Sequence, residues 1–187
     1  MTSYYTDPAS ARQLDGANAV WRYDDIPLAL MREVSSNDIP AGGTAAAMGG
    51  VLSKDSTPNL EFTNGDTDSA LRLQWAASNS DPIVFQKSLP ENLDASGTIY
   101  VKFLALMGGT TDSFALASDT YFGLGDTKVE DVSGTVSGTV GAVYTIAIAA
   151  ADVPAGAATM TCELTPGAHT TDTFEMYACW VKTPTIP

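Results

Sequence analysis

The sequence predicts an all-β protein, an antiparallel β-sandwich of jelly-roll type with an extended N-terminal arm. Three observations carry this. From Pro58 onward, short runs with apolar residues at alternate positions follow one another, separated by Gly, Pro, Asn and Asp turn signals. Gly, Thr, Ser and Ala are abundant, which suits turns and strands. Counted by pattern, the strands after Asn59 number about eight to ten, which fits two packed sheets.

The strands read in order as follows. Asn59–Thr63 is a weak first strand, and Asn64-Gly-Asp-Thr-Asp turns the chain. Leu71, Leu73 and Trp75 then alternate with Arg72 and Gln74. Ile83–Lys87 follows Asp81-Pro82. Thr98–Met107 is the longest clear strand, with Ile99, Val101, Phe103 and Ala105 opposing Tyr100, Lys102, Leu104 and Leu106, so it should be central. Ser113–Ser118 and Thr120–Leu124 read as two short strands, and Lys128–Val132 as another. Val132–Gly141 holds a tandem Val-Ser-Gly-Thr repeat that reads as a Gly-weakened edge strand or loop. Tyr144–Ile148 alternates cleanly, and Asp152, Pro154 and Gly156 favour a turn or one helical turn after it.

The last stretch, Ala158–Lys182, reads as a hairpin. Met160, Cys162 and Leu164 alternate with Thr159, Thr161, Glu163 and Thr165. In the second strand Phe174, Met176, Ala178 and Trp180 share a face, while Tyr177, Cys179 and Val181 opposite are also apolar, so both faces should be covered. The two cysteines fall on these two strands, where a disulfide requires a register that aligns them.

Residues 1–57 differ in texture from residues 58–187 and are expected to form an arm and a packed loop preceding the sandwich domain. Pro27 interrupts the apolar run Trp21, Tyr23, Ile26, Leu28 and Leu30, which favours extended chain over helix. The arm either lies along its own sandwich or engages a partner. Tyr4, Tyr5, Trp21, Tyr23, Ile26, Leu28 and Leu30 are its candidate partner-binding residues.

Composition narrows the function. Of 187 residues, 22 are acidic and nine basic, and the formal net charge of −13 disfavours nucleic acid or an anionic membrane as partner. No basic segment followed by an apolar core opens the chain, so no secretory signal is expected. His169 is the sole histidine, and with Thr170, Thr171 and Asp172 it sits in a predicted loop where such residues serve turn hydrogen bonds. One His and two separated Cys do not make a zinc site, and no calcium loop is complete, so neither catalytic residues, metal nor cofactor is expected. Trp75, Trp180 and Tyr177 permit stacking on a sugar, against the plainer reading that they fill the core.

Leu89–Phe103, Ala150-Ala-Asp-Val-Pro-Ala-Gly-Ala and Leu164–Val181 carry a resemblance. They resemble the β-sandwich structural proteins of tailed bacteriophages, in which an acid-Pro-Ala-Gly turn, a Thr-Pro-Gly-x-His loop and an aromatic-rich final strand recur. The resemblance implies a non-enzymatic virion protein assembled in the host cytoplasm, expected as a capsid decoration or cement protein. Its partners would be the major capsid protein or other virion proteins, and it would be a homo-oligomer, for which a trimer is compatible. The alternative is a tail or fibre module that binds a cell-surface glycan.

Overall fold

Alternation of apolar side chains dictates two sheets that bury one face each, and the computed structural model has this form. It describes residues 20–35, 39, 49–64, 69–124 and 126–186. The strands are β1 (Val20–Asp25), β2 (Arg32–Glu33), β3 (Asn59–Asn64), β4 (Ser69–Trp75), β5 (Ile83–Ser88), β6 (Ile99–Met107), β7 (Ser113–Tyr121), β8 (Val129–Ser137), β9 (Ala142–Ile148), β10 (Thr159–Thr165) and β11 (Phe174–Thr185). Among the described residues the remaining regular elements are 3-10 turns at Leu28–Leu30 and Ala150–Asp152. One six-stranded sheet runs β3-β4-β11-β6-β9, with β1 also paired to β11; a five-stranded sheet runs β2-β5-β10-β7-β8. The sandwich is therefore antiparallel throughout, and its all-β class is as the sequence predicts.

The core fills the space between the sheets. Ile99, Val101, Phe103, Ala105 and Met107 of β6 are buried at every second position and meet Met160, Cys162 and Leu164 of β10. Trp75, Phe174 and Phe114 form an aromatic chain through it, with ring centroids 4.9 Å and 5.0 Å apart, the second contact edge-on. The Trp75 indole N–H donates to the Asp81 carbonyl at 2.8 Å, which explains how a ring with a polar edge is buried completely. At the rim, Asp24 of one sheet and Lys87 of the other form an ion pair at 2.7 Å.

Several expectations are corrected here. Ser113–Tyr121 is one strand, because Ser118 and Thr120 point inward in phase with Phe114 and Leu116. The Val-Ser-Gly-Thr repeat, by contrast, is as expected: it contributes to β8, an edge strand of the five-stranded sheet. β10 and β11 are no hairpin: the loop between them crosses from one sheet to the other. Cys162 and Cys179 consequently sit on different sheets, both buried as free thiols. Burial pushes both thiols up, that of Cys162 to about 12.

Of the first 57 residues, the described part is built into the sandwich. β1 pairs with the C-terminal half of β11, from Val20 opposite Thr185 to Asp25 opposite Trp180. Pro27 opens the short 3-10 turn, and β2 joins the other sheet beside β5. This segment thus closes one side of the barrel-like space between the sheets with Ile26, Leu28 and Met31, all buried. Tyr4 and Tyr5 lie outside the described residues.

Candidate functional site

The outward side of the six-stranded sheet collects the residues with chemistry to offer. In β6, alternation turns Tyr100, Lys102, Leu104 and Leu106 outward. Register then places Lys182 beside Tyr100 and Trp180 beside Lys102 on β11, and Tyr23 and Asp25 across from them on β1. Arg72 and Gln74 of β4 and Glu61 of β3 continue the same face at its other end.

A β-bulge organises this face. Between Met176 and Ala178 of β11 the register against β6 shifts, leaving Tyr177 as the extra residue. Phe174 and Met176 point into the core before the bulge, and Cys179 and Val181 after it. Ala178 and Trp180, expected on the face of Phe174, are moved to the opposite one. The apolar character of both sides of this strand is therefore the trace of a phase change. Its consequence is that Trp180 stands half-buried on the outer surface.

At one end lies a polar cluster centred on Glu175, which is only 7% exposed. Arg72 Nη1 donates to Glu175 Oε2 at 2.5 Å and the Tyr177 hydroxyl to the same oxygen at 2.6 Å. Gln74 Nε2 donates to Glu175 Oε1 at 3.1 Å. Arg72 also donates from Nε and Nη2 to Glu61 Oε1, at 2.9 Å and 2.7 Å. Burial works against the Arg72 charge, yet the Tyr177 hydroxyl and the two carboxylates outweigh it and hold the guanidinium firmly protonated. The Tyr177 phenol is pushed up by burial and by Glu175. This is a rigid planar array of donors and acceptors on strands, the kind of surface that reads hydroxyl groups.

At the other end the side chains are aromatic and cationic. Lys182 Nζ sits 3.8 Å from the Trp21 ring centroid, 5.5 Å from that of Tyr100 and 5.8 Å from that of Tyr23. Trp21 and Tyr100 touch at 5.7 Å between centroids. The Trp21 ring is thus occupied by neighbours, whereas Trp180, between this cage and the polar cluster, makes no ring contact among the described residues.

The sequence-derived candidates divide accordingly. Trp21 and Tyr23 lie on this face; Ile26 and Leu28 are core residues; Leu30 is exposed beyond the 3-10 turn. Of the three aromatics proposed for sugar stacking, Trp75 is buried completely and is withdrawn, while Trp180 and Tyr177 remain. Arg72, Gln74 and Glu175 were missed as a group. Arg72 and Glu175 are 103 residues apart, and only the pairing of β4 with β11 joins them.

His169 belongs elsewhere. Its ring packs on Phe114 at 5.3 Å, and Nδ1 meets the Gly167 carbonyl oxygen at 2.9 Å. The Thr171 and Asp172 amides donate to Asp112 Oδ2, and the Thr111 and Asp112 amides donate back to Asp172 Oδ2, a reciprocal clasp between two loops. Asp119, the other carboxylate weighed for calcium, pairs with Lys128 at 3.0 Å. The Asn64-to-Asp68 turn falls largely outside the described residues. No group of three or more His, Cys, Asp or Glu side chains suited to a metal occurs among the described residues.

No protein-family model and no curated protein matches the chain. Among solved structures, it is similar to the CBM36-1 domain of a multidomain xylanase from the hindgut metagenome of Trinervitermes trinervoides, at 15% identity and TM-score 0.42, covering 87% of this chain and 95% of that one. A family 29 carbohydrate-binding module from Piromyces equi gives 10% identity and TM-score 0.44, covering 87% and 91%. The family 30 carbohydrate-binding module of a Clostridium thermocellum cellulosomal cellulase gives 10% and 0.44, covering 86% and 96%. These likenesses concern the fold. The expectation of a capsid decoration or cement protein is not upheld: the neighbours found are carbohydrate-binding modules. The structure supplies a physical reason as well: the segment from Val20 to Val34 that was to engage a capsid is largely used within its own sandwich.

Proposed function

We propose that the outer face of the six-stranded sheet binds a carbohydrate chain. One observation carries the reading: a bulge in β11 sets an outward Trp180 in line with a fixed array of planar polar side chains, Arg72, Gln74 and Glu175. Sugars present apolar C–H faces and flanking hydroxyls. An indole ring suits the first, and fork-like donors and carboxylate acceptors suit the second. All of these groups stand on strands of one sheet, so the surface is formed before a ligand arrives and little ordering is required on binding.

The reading is of a binding module. Glu61 and Glu175, the carboxylates at the polar end, are both engaged by Arg72, which leaves neither as a free acid or base. The resemblance to carbohydrate-binding modules in fold is compatible with this, but the face itself is the support. A glycan array with the full chain tests it. Specific binding should weaken by about 2 kcal/mol, roughly thirty-fold, in Trp180→Ala, with an unchanged urea midpoint as the control for folding. Binding that is indifferent to Trp180 sinks the proposal.

A further inference from the structure

Building on the carbohydrate-binding reading, we propose that Asp25 and Lys102 set its specificity. The sugar unit stacked on Trp180 is an uncharged pyranose with two adjacent free hydroxyls, which Asp25 holds, while Lys102 grips an oxygen on the opposite edge of the ring. Register puts the three side chains in one row across the outer face: Trp180 on β11 is the direct cross-strand partner of Asp25 on β1 and of Lys102 on β6. With neighbouring strands about 4.7–4.9 Å apart, the backbones of β1 and β6 are separated by about 9–10 Å across β11. A pyranose lying on the indole, with hydroxyls on both of its edges, spans that gap.

Both charged groups are available to a ligand. Asp24, next to Asp25 in sequence, is tied to Lys87 and Arg22, and Glu61 and Glu175 are held by Arg72. Asp25 is exposed, and its carboxylate enters no ion pair or hydrogen bond among the described residues. Lys102 is half-buried and in no ion pair among the described residues; its Nζ lies 6.0 Å from the Tyr100 ring centroid, at the outer limit of a cation–π contact. The chemistry of the ligand follows from the shape of each group. A carboxylate presents two acceptor oxygens side by side and matches two adjacent hydroxyl donors, whereas an ammonium group has donors only and takes a hydroxyl or ether oxygen. The two opposite charges offset one another, and Asp25 repels an acid at its own edge, so the unit is uncharged. Linkage decides whether the diol exists. A hexopyranose joined through O3 keeps O2 and O4, which are not adjacent, but one joined through O4 or O6 keeps O2 and O3 together. The face should therefore select against 1,3-linked chains.

The test titrates long neutral polymers, whose chain ends are negligible, calorimetrically into the full chain: glucomannan, 1,4-linked galactan, amylose and 1,6-linked glucan on one side, 1,3-linked glucans on the other. At least one polymer with the free diol should bind about ten-fold or more tighter than any 1,3-linked chain, the worth of hydrogen bonds to a charged group. Asp25→Ala should abolish that preference, and Asp25→Asn, with one acceptor oxygen left, should reduce it. Lys102→Met should weaken every chain that binds and leave the preference in place. If 1,3-linked chains bind as well as the others, if the preference survives Asp25→Ala, or if Lys102→Met changes nothing, the inference falls and the carbohydrate-binding reading stands. If no polysaccharide binds, both fall.

Discussion

Replacing Glu175 by alanine removes the acceptor on which the polar end of the face is built. Four donors converge on this side chain: Arg72, Tyr177 and Gln74 at 2.5, 2.6 and 3.1 Å, and the Thr173 hydroxyl more loosely at 3.5 Å. The Arg72 and Glu175 side chains are 19% and 9% exposed, so solvent replaces little of what is lost. Removing one partner of such a pair costs about 3–5 kcal/mol, moderated here because Glu61 still holds the guanidinium. Glu175→Gln keeps the shape and one acceptor oxygen. If Gln74 turns its amide to accept, every group stays paired, and the loss reduces to the charge assistance of two hydrogen bonds, about 1–2 kcal/mol. Urea unfolding of the three proteins measures both differences from the midpoints at constant slope. Alanine costing less than about 1 kcal/mol, or glutamine costing as much as alanine, would refute the picture of a rigid carboxylate-centred array.

Three other outcomes are expected. Thr183 is fully buried and its hydroxyl has no partner among the described residues, so Thr183→Val should raise stability by about 1 kcal/mol in urea titration; a loss would show that the hydroxyl is satisfied in solution. At Gly167 an added Cβ would meet Phe114 Cβ at 2.7 Å and the Ala115 carbonyl oxygen at 3.2 Å, so Gly167→Ala should lower stability by about 1–3 kcal/mol, and a neutral result would mean the loop yields. The Asp112 carboxyl is held below its ordinary value of 3.8 by the Asp172 and Thr171 amides. Because the folded value is the lower one, this stabilisation is complete above pH 3.8 and fades as the pH falls below it. Asp112→Asn should therefore make acid unfolding less steep in that range; identical pH profiles would remove Asp112 from the account.

Alternation made most strands legible. The β6 pattern from Ile99 to Met107 has no competing interpretation, since helical spacing would scatter those residues over all sides. Ser118 and Thr120 hid the continuity of β7 because inward polar residues imitate a break. The loop from Pro166 to Thr173 looks like a hairpin connection, yet nothing local distinguishes a return to the neighbouring strand from a crossing to the other sheet. The candidate site was hidden for two further reasons. Trp75 and Trp180 occupy similar apolar alternations, and only the bulge at Tyr177 sends one inward and the other outward. Arg72 and Glu175 become partners through strand pairing over a separation that no local pattern encodes.

The central claim concerns where a ligand sits. Once a glycan has been selected from the array, the backbone and indole N–H shifts of the full chain on titration locate it directly. The account predicts that the Trp180 indole and the amides around Lys102, Gln74 and Glu175 move together while the Trp75 indole stays in place. Shifts centred on the outer side of the five-stranded sheet, around Thr161 and Glu163, would contradict it.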